Sequence, residues 1–408
     1  MKKLRKKPEL LAPAGNLEKL KVAIHYGADA VFIGGQEFGL RSNAGNFTID
    51  EMKEAVEFAN NYEAKIYVTT NIFAHNENMD GLDTYLASIQ GAGITGIIVA
   101  DPLIIETCKI AAPKLEIHLS TQQSLSNYKA VEYWKQEGLH RVVLARETSA
   151  EEIRLMKEKV PIEIEAFIHG AMCIAYSGRC TLSNHMTARD SNRGGCCQSC
   201  RWDYALTDAY SEQPAVTSEA VPFAMSPKDL NLLQSIPKMM DLGVDSLKIE
   251  GRMKSIHYIA TVVSVYRKVI DGYFDNPESF EILPEWVEEL AKCANRETAS
   301  AFFENEPGYE QQMFGVHSKK NDIDFVGFVQ SYDHETKMVT VQQRNKFNPG
   351  EKVEFFGPEI DNFEITIDTI YDDKGNVVES ANHPLQVIQF KCDHPVYPMN
   401  MMRKELQT

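Results

Sequence analysis

The chain has 408 residues, of which 43% are hydrophobic, and its formal net charge is −16 at pH 7. A chain of this length buries a large core and is expected to form two or three domains. No apolar run approaches the roughly 20 residues of a membrane span, and the start, MKKLRKKPELLAPAG, lacks the apolar stretch of a secretory signal, so we expect a cytoplasmic protein with no membrane attachment. The acidic balance gives no support to a nucleic-acid partner, but it does not exclude one.

Residues 1–270 alternate short apolar runs with amphipathic segments, a pattern typical of parallel β/α units. Helix start signals precede the amphipathic segments, as at Asn16 before LEKLKVAIHYG. Eight strands in about 250 residues favour a parallel β/α (TIM-like) barrel, with an open doubly wound sheet as the alternative. The predicted strands are residues 9–13, 30–34, 65–70, 96–100, 117–121, 141–145, 162–168 and 246–251.

The alternation breaks once, after the predicted strand IEIEAFI. A cysteine-rich insertion, residues 169–204, follows this strand, and the β/α rhythm resumes only at DLNLLQSIPKMMDLG. The insertion would therefore leave the C-terminal end of a barrel strand, on the face where barrel enzymes build their active sites. We expect the insertion to contribute to an active site in a catalytic domain spanning residues 1–270.

The last third of the chain has a different sequence pattern from the first 270 residues. Residues 271–318 read as an acidic, partly helical linker. Residues 319–408 contain short strand-like runs separated by turn signals such as HET, NPGE and DDKGN. This pattern predicts a small antiparallel β-barrel domain at the C-terminal end.

Five of the eight cysteines lie in the insertion, and in a reducing compartment such thiols are more often ligands or catalytic groups than disulfides. Their spacing is C-x6-C-x15-C-x3-C, or C-x6-C-x16-C-x2-C if the second member of the adjacent pair is used, and both fit a four-thiolate site. The first pair lacks zinc-knuckle spacing, which weakens a zinc site without removing it. Spacing alone leaves open an iron–sulfur cluster, a zinc ion, and unliganded or catalytic thiols, with His169 or His185 as a possible base. The five are Cys173, Cys180, Cys196, Cys197 and Cys200.

A second candidate site lies in SLKIEGRMKS, where Lys248, Glu250 and Arg252 occupy alternate positions on and just past the last predicted barrel strand. Alternate residues share one side of a strand, so these three could converge on the barrel mouth. Two cations beside a carboxylate suit a small dicarboxylate ligand, with Arg252 offering a bidentate fork. An internal ion-pair network that closes the barrel is equally consistent with the pattern.

Several motifs carry a resemblance to a known family. EAFIHGAMC (165–173) and GRCTLS (178–183) together resemble the defining motif of the bacterial collagenase-like peptidases of unknown catalytic type, peptidase family U32. NRGGCCQSCRW, PELLAPAGNLEKLKVAIHYGADAVFIGG, MSPKDL and DSLKIEGRMKS resemble other hallmarks of the same family. The similarity extends over the whole chain, including its C-terminal β-domain.

The resemblance implies one of two activities. Some members of the family are described as collagen-degrading peptidases, and others are RNA or quinone hydroxylation factors that hold a four-iron four-sulfur cluster on four cysteines. In length and C-terminal domain this chain most resembles members that hydroxylate the wobble uridine of tRNA at carbon 5 with prephenate. We therefore expect a tRNA hydroxylase with tRNA and prephenate as partners. Whether a protein partner or a paralogue also takes part stays open. A peptidase is the alternative, and a zinc-stabilised RNA-binding scaffold is a third reading.

The resemblance also implies roles for particular residues, although it assigns no catalytic residue. The cluster ligands would be Cys173, Cys180, Cys196 and Cys200, with Cys197 as an alternative to Cys196 because it stands where the family usually has alanine. Prephenate carries two carboxylates, which makes Lys248 and Arg252 candidate ligands for it, beside Glu250. The β-domain and the basic start of the chain, Lys2 to Lys7, could contact tRNA phosphates.

Overall fold

The protein is described from a computed structural model that covers residues 6–39, 46–205, 207, 222–314 and 322–406. Parallel strands alternate with helices over the first 170 residues. The strands are β1 (Glu9–Pro13), β2 (Ala30–Gly34), β3 (Lys65–Thr70), β4 (Gly96–Val99), β5 (Glu116–Leu119), β6 (Arg141–Val143) and β7 (Glu163–Gly170). The helices between them are α1 (Leu17–His25), α2 (Ile49–Asn60), α3 (Leu82–Gly91), α4 (Pro102–Ala111), α5 (Tyr128–Gln136) and α6 (Ala150–Lys159).

The helices begin where side chains satisfy their first backbone N–H groups. Asn16 Oδ1 accepts from the Lys19 amide at 2.9 Å at the start of α1. At α2, Thr48 accepts from the Glu51 amide while the Glu51 carboxylate accepts from the Thr48 amide, which is a reciprocal capping box. The first of these caps confirms the start signal read from the sequence at Asn16.

The eighth barrel strand follows the cysteine-rich insertion and closes the sheet. The chain after β7 forms α7 (Leu182–Thr187), β8 (Ser226–Pro227), β9 (Asp229–Asn231), α8 (Ile236–Leu242) and β10 (Ser246–Ile249). Strand β10 pairs in parallel with both β1 and β7, so β1 to β7 and β10 form a closed barrel. The predicted parallel β/α barrel is confirmed, and the open-sheet alternative is wrong.

The segment after the barrel packs against it before the second domain begins. It contains α9 (Ile256–Asp275), α10 (Pro284–Ala291), β11 (Thr298–Ala299) and β12 (Gln312–Met313). Strand β11 pairs with β9, and β12 pairs with β8. Thirteen side chains of α9 are buried, so this helix belongs to the main hydrophobic core rather than to the surface.

The C-terminal domain is antiparallel, as predicted, and packs around a core of its own. Its strands pair in the order β16, β15, β20, β13, β14, β19, β17 and β18. Strand β20, with sequence MMRKE, lies between β15 and β13 and was not predicted from the sequence. The strands are β13 (Ile323–Asp333), β14 (Met338–Gln343), β15 (Lys352–Gly357), β16 (Ile360–Thr366), β17 (Ile370–Asp372), β18 (Val377–Val378), β19 (Val387–Lys391) and β20 (Met401–Glu405).

Two predictions from the sequence, the absence of a membrane span and the basic cluster at the start of the chain, can be compared with the structure only within the described residues. No helix within the described ranges is long and apolar enough to cross a membrane. Of the basic cluster at the start of the chain, Lys2, Lys3 and Arg5 lie outside the described residues. Lys6 pairs with Glu163 at 3.2 Å, so this cation already has a carboxylate partner.

Candidate functional site

A cavity of about 240 Å³ opens at the carboxyl ends of the barrel strands, and we call it the thiol cavity. Its walls come from residues just past several strands and from the cysteine-rich insertion. Thr69 and Asn71 lie at the end of β3, Ser120 follows β5, and Arg146 follows β6. The insertion therefore covers the mouth of the barrel, the position expected for an active site in this fold.

Four of the five thiols of the insertion line this cavity: Cys173, Cys180, Cys196 and Cys200. Cys173 borders the open cavity, and desolvation of its sulfur raises the pKa of its thiol, with smaller contributions in the same direction from Cys196 and Cys180. Desolvation raises the pKa of Cys200 to about 11, and the other three thiols act on it in the same direction. Cys180 and Cys196 thus act on both Cys173 and Cys200, which indicates that the four sulfurs lie in one neighbourhood.

The fifth thiol, Cys197, is not among the residues that line the thiol cavity. Its sulfur lies 3.4 Å from Ser183 Oγ and 3.5 Å from Thr187 Oγ1, on the side of α7. Desolvation tends to raise its pKa, but hydrogen bonds from Ser183, Thr187 and Ser199 outweigh this effect and lower the pKa to about 7. The adjacent pair thus projects in two directions, with Cys196 toward the cavity and Cys197 toward helix α7.

Hydrogen bonds within the insertion hold the thiol-bearing loops together. The carbonyl of Cys180 accepts from Asn192 Nδ2 at 3.0 Å and also from Ser191 Oγ. Arg193 then ties the insertion to the loop after β3, since its guanidinium bonds Glu77 at 2.7 Å and Asn78 at 2.9 Å. Segments that are distant in sequence are in this way fixed around one cavity.

The two histidines considered as bases are not positioned beside a thiol in the structure. His169 Nδ1 lies 3.2 Å from the Tyr266 hydroxyl, and burial lowers its pKa to about 3. His185 is exposed on α7. Neither ring is hydrogen bonded to a cysteine, so a cysteine–histidine nucleophile pair has no support in this geometry.

Within the residues that the structure describes, no three or more His, Cys, Asp or Glu side chains are gathered closely enough to hold a metal ion. The donor set at the cavity is nevertheless all thiol, the type of ligand that iron–sulfur clusters and zinc use. Outside the insertion, Cys108, Cys293 and Cys392 are buried, as expected for thiols in apolar surroundings.

Lys248 lines the thiol cavity and is also part of an ion-pair network inside the barrel. Its Nζ lies 2.7 Å from Glu165 Oε1 and 4.4 Å from the centre of the Phe32 ring. Glu165 is fully buried and also accepts from Arg141 at 3.2 Å. The internal network anticipated as one reading of this lysine is therefore present, and the cavity still reaches its side chain.

Glu250 and Arg252 line the same cavity, so the three residues at alternate positions do share one side of the chain. Arg252 donates to Thr69 Oγ1 at 3.0 Å, and the Glu250 carboxylate lies 3.7 Å from the guanidinium of Arg146. Gly34 permits the approach of Arg252, because a Cβ at this position would overlap the guanidinium. Their role as ligands for a substrate stays a prediction.

Arg146 is a cation of this site that the sequence analysis missed. Its guanidinium carbon lies 3.9 Å from the centre of the Phe167 ring, and its charge lowers the pKa of Cys173 against the desolvation that raises it. Arg146 follows β6 by three residues, so the rule that residues past the barrel strands face the active site could have found it.

Comparison with known proteins agrees with these features. The sequence pattern of peptidase family U32 matches residues 15–313, and that of the peptidase family U32 C-terminal domain matches residues 321–403. The chain is 72% identical over 403 residues to the tRNA hydroxylation protein P1 of Bacillus subtilis, a match that covers 98% of this chain and 96% of that protein.

Two more distant relatives carry different names. The tRNA hydroxylation protein P of Haemophilus influenzae is 34% identical over 422 residues, with 92% of this chain and 91% of that protein covered. A collagenase of Porphyromonas gingivalis is also 34% identical, over 300 residues and 71% of each chain. The family pattern spans well over half of the chain, and the motifs around the thiol cavity predicted the same assignment: this chain belongs to peptidase family U32.

Proposed function

We propose that this protein is a tRNA hydroxylase that converts the wobble uridine to 5-hydroxyuridine, with a four-iron four-sulfur cluster and prephenate as co-substrate. The observation that carries the proposal is the convergence of four thiols on one cavity at the barrel mouth. The names of the relatives from Bacillus subtilis and Haemophilus influenzae support RNA hydroxylation as the reaction class.

The reaction class favours a cluster over a single zinc ion, because zinc has no redox chemistry. One zinc ion holds its thiolates about 2.3 Å from a common centre, whereas a four-iron cluster carries each thiolate on a different iron. Four thiols that line one cavity supply the four thiolates that such a cluster needs. Cys173, Cys180, Cys196 and Cys200 would hold the cluster, and Cys197 would stay outside the ligand set.

Hydroxylation replaces the hydrogen at carbon 5 of uridine with a hydroxyl group, so the overall reaction needs an oxygen donor and an acceptor for two electrons besides the base itself. A bound cluster would supply electron transfer, chemistry that protein side chains do not perform by themselves. The side chains of this chain would bind and orient the reactants. We assign the carboxylates of prephenate to the cationic part of the cavity, which contains Arg252, Arg146 and Lys248.

The charge pattern of the cavity suits this division of tasks. Arg252 is only 5% exposed, so its attraction for an anion is weakly screened by water. Lys248 is paired with Glu165 and Arg146 with Glu250, so the three cations Lys248, Arg146 and Arg252 outnumber these two carboxylates by one. The uridine must leave the base stack to reach such a cavity, as in other enzymes that modify nucleobases.

The proposal is tested by anaerobic purification followed by analysis of iron, sulfide and zinc, together with a visible absorption spectrum. We expect about four irons and four sulfides per chain. Stoichiometric zinc without iron would refute the cluster. The reaction is tested separately by analysing tRNA nucleosides from a deletion strain, in which 5-hydroxyuridine and its derivatives should be lost unless a paralogue replaces the protein.

Peptide hydrolysis is a second candidate, supported by the collagenase of Porphyromonas gingivalis. The proposed hydroxylase should leave collagen and gelatin intact. If the purified protein cleaves gelatin, the cleavage should be compared in the variants Cys173→Ser and Cys108→Ser. Loss of gelatin cleavage and of tRNA hydroxylation in Cys173→Ser, with both retained in the Cys108→Ser control, would assign peptidase chemistry to the same site. The buried Cys108 is a suitable control because it lies in α4, away from the insertion.

A further inference from the structure

An exposed tyrosine stands at the rim of the thiol cavity. Tyr176 lines the cavity, yet 57% of its surface remains open to solvent. It begins a tight turn in which its carbonyl accepts from the Arg179 amide at 3.0 Å. An aromatic ring held partly in water at the entrance of a cavity is available to a ligand that enters.

The turn that carries Tyr176 is fixed firmly to the barrel. Ser177 is buried and donates to the Glu147 carboxylate from both its amide, at 3.1 Å, and its hydroxyl, at 3.0 Å. The carbonyl of Ser177 accepts from the Ser124 hydroxyl. Gly178 has φ of 71° and packs so closely on the backbone of Gln122 that a Cβ would overlap it. The ring of Tyr176 is therefore presented by a rigid base.

The surroundings of this turn carry positive charge in a strongly acidic protein. Residues 169–204 contain four arginines and two aspartates, a balance of +2 within a chain of −16. Arg193 and Arg201 are paired with Glu77 and Asp229. Arg179 and Arg189 are exposed, and the contact seen for Arg179 is with a neutral hydroxyl, that of Ser124 at 3.3 Å.

We propose that the Tyr176 turn is an RNA-binding element, in which Tyr176 stacks on a nucleobase of a single-stranded RNA loop and Arg179 contacts the adjacent phosphate. This inference rests on the proposed function, because it names how the RNA substrate reaches the site. Stacking on an aromatic ring tolerates every base, while a neighbouring arginine supplies the attraction for the backbone. The pair thus guides the loop to the cavity entrance.

The chemistry of the turn favours a single-stranded loop over duplex RNA. Bases in an A-form helix are stacked on each other and leave no face for a protein ring, whereas loop bases are splayed out and stack on aromatic side chains. Tyr176 presents one ring at a concave entrance rather than a long flat basic surface. Duplex RNA would contact the arginine alone and should bind weakly.

The test is fluorescence anisotropy with a labelled RNA hairpin whose loop reproduces an anticodon loop, and with duplex RNA of equal length. We expect Tyr176→Ala to raise the Kd for the hairpin by about 5- to 150-fold and Tyr176→Phe to leave it within about twofold. Arg179→Gln should weaken binding and reduce its dependence on salt. Tyr133→Ala is the matched control, because Tyr133 is 56% exposed on α5 of the barrel exterior.

A second variant makes stacking directly visible. Tyr176→Trp should bind the hairpin as the natural protein does, and its added fluorescence should be quenched when a base stacks on the indole. Equal hairpin affinity of the natural protein and Tyr176→Ala, or unquenched fluorescence at saturation, would overturn the inference while leaving the hydroxylase proposal intact. Complete absence of RNA binding by the natural protein would overturn both. Displacement of the hairpin by poly-glutamate would assign the turn to acidic polypeptides instead.

Discussion

The interface between the barrel and the C-terminal domain should make the stability of this protein sensitive to mild acid through His257. This residue lies at the start of α9 and is 4% exposed. Its ring stacks on Phe325 at 5.8 Å and meets the edge of Phe356 at 5.6 Å. Burial lowers the pKa of His257 to about 3, with Arg403 acting in the same direction.

The charged groups that face His257 come from two elements. Arg403 of β20 and Lys292, which follows α10, lower its pKa, while Glu289 of α10 raises it, and the net shift is strongly downward. The folded protein therefore keeps the ring neutral between pH 6.5 and about 3, where the unfolded chain binds a proton. The unfolded state binds more protons in this pH window. The contribution of the neutral His257 ring to the free energy of unfolding is therefore fully present above pH 6.5 and is lost as the pH falls below it.

The size of the effect follows from the two pKa values. At pH 5.5 the unfolded chain gains about 1.4 kcal/mol from protonation of one ordinary histidine, while the folded state gains almost nothing. His257→Phe removes this proton site and retains an aromatic ring. We expect the free energy of unfolding to fall between pH 8 and pH 5.5 by about 1.4 kcal/mol less in the variant than in the natural protein.

Urea unfolding followed by tryptophan fluorescence at several pH values measures this difference. His334→Phe, which changes an exposed histidine of the C-terminal domain, should reproduce the pH profile of the natural protein. Parallel profiles for His257→Phe and the natural protein would refute the reasoning, because they would mean that His257 titrates equally in the folded and unfolded states.

Two further predictions concern the thiols and the domain interface. Cys196→Ser should lose most of the iron found in the natural protein, whereas Cys197→Ser should retain it, as measured by iron and sulfide analysis after anaerobic purification; the reverse result would exchange the two roles. Arg403→Met should destabilise the protein by about 1.5–3 kcal/mol in denaturant titrations, because it removes the charged hydrogen bonds to Glu354 and Glu289 and leaves Lys292 as their remaining cation. Lys352→Met, at an exposed ion pair of the same domain, is the control and should have no measurable effect.

The barrel could be predicted from the sequence because each of its strands is a short run rich in hydrophobic residues, and most of them alternate with helices that have recognisable ends. Predicted and observed strands start at the same residue in cases such as β1, β2, β3 and β10. Closure of the sheet into a barrel was harder to predict from the sequence. It depends on the pairing of β10 with both β7 and β1, and β1 lies at the opposite end of the domain sequence. Strand number suggested a barrel, but only the register of these pairs distinguishes it from an open sheet.

Strand β20 shows why part of the fold could not be read from the sequence. Its residues Met401, Met402 and Arg403 are all buried, so the strand lacks the alternation that marks a half-exposed strand. Arg403 is tolerated inside only because Glu354 of β15 accepts from it at 2.6 Å and Glu289 of α10 at 2.8 Å. Glu354 and Glu289 are distant from Arg403 in sequence, so the residues next to Arg403 do not predict these ion pairs.

The cysteine-rich insertion separates what spacing can predict from what it cannot. Its position after β7 was sufficient to locate it at the barrel mouth, because the strand direction fixes which end of the barrel it covers. The choice between Cys196 and Cys197 depends instead on side-chain direction in a segment without regular periodicity, where Gly194 and Gln198 both have positive φ. Adjacent residues in such a loop point differently, and here one faces the cavity while the other meets Ser183. Four of the five thiols therefore line the cavity, and the fifth, Cys197, lies beside them against helix α7. Four thiols are the number that a four-thiolate site requires.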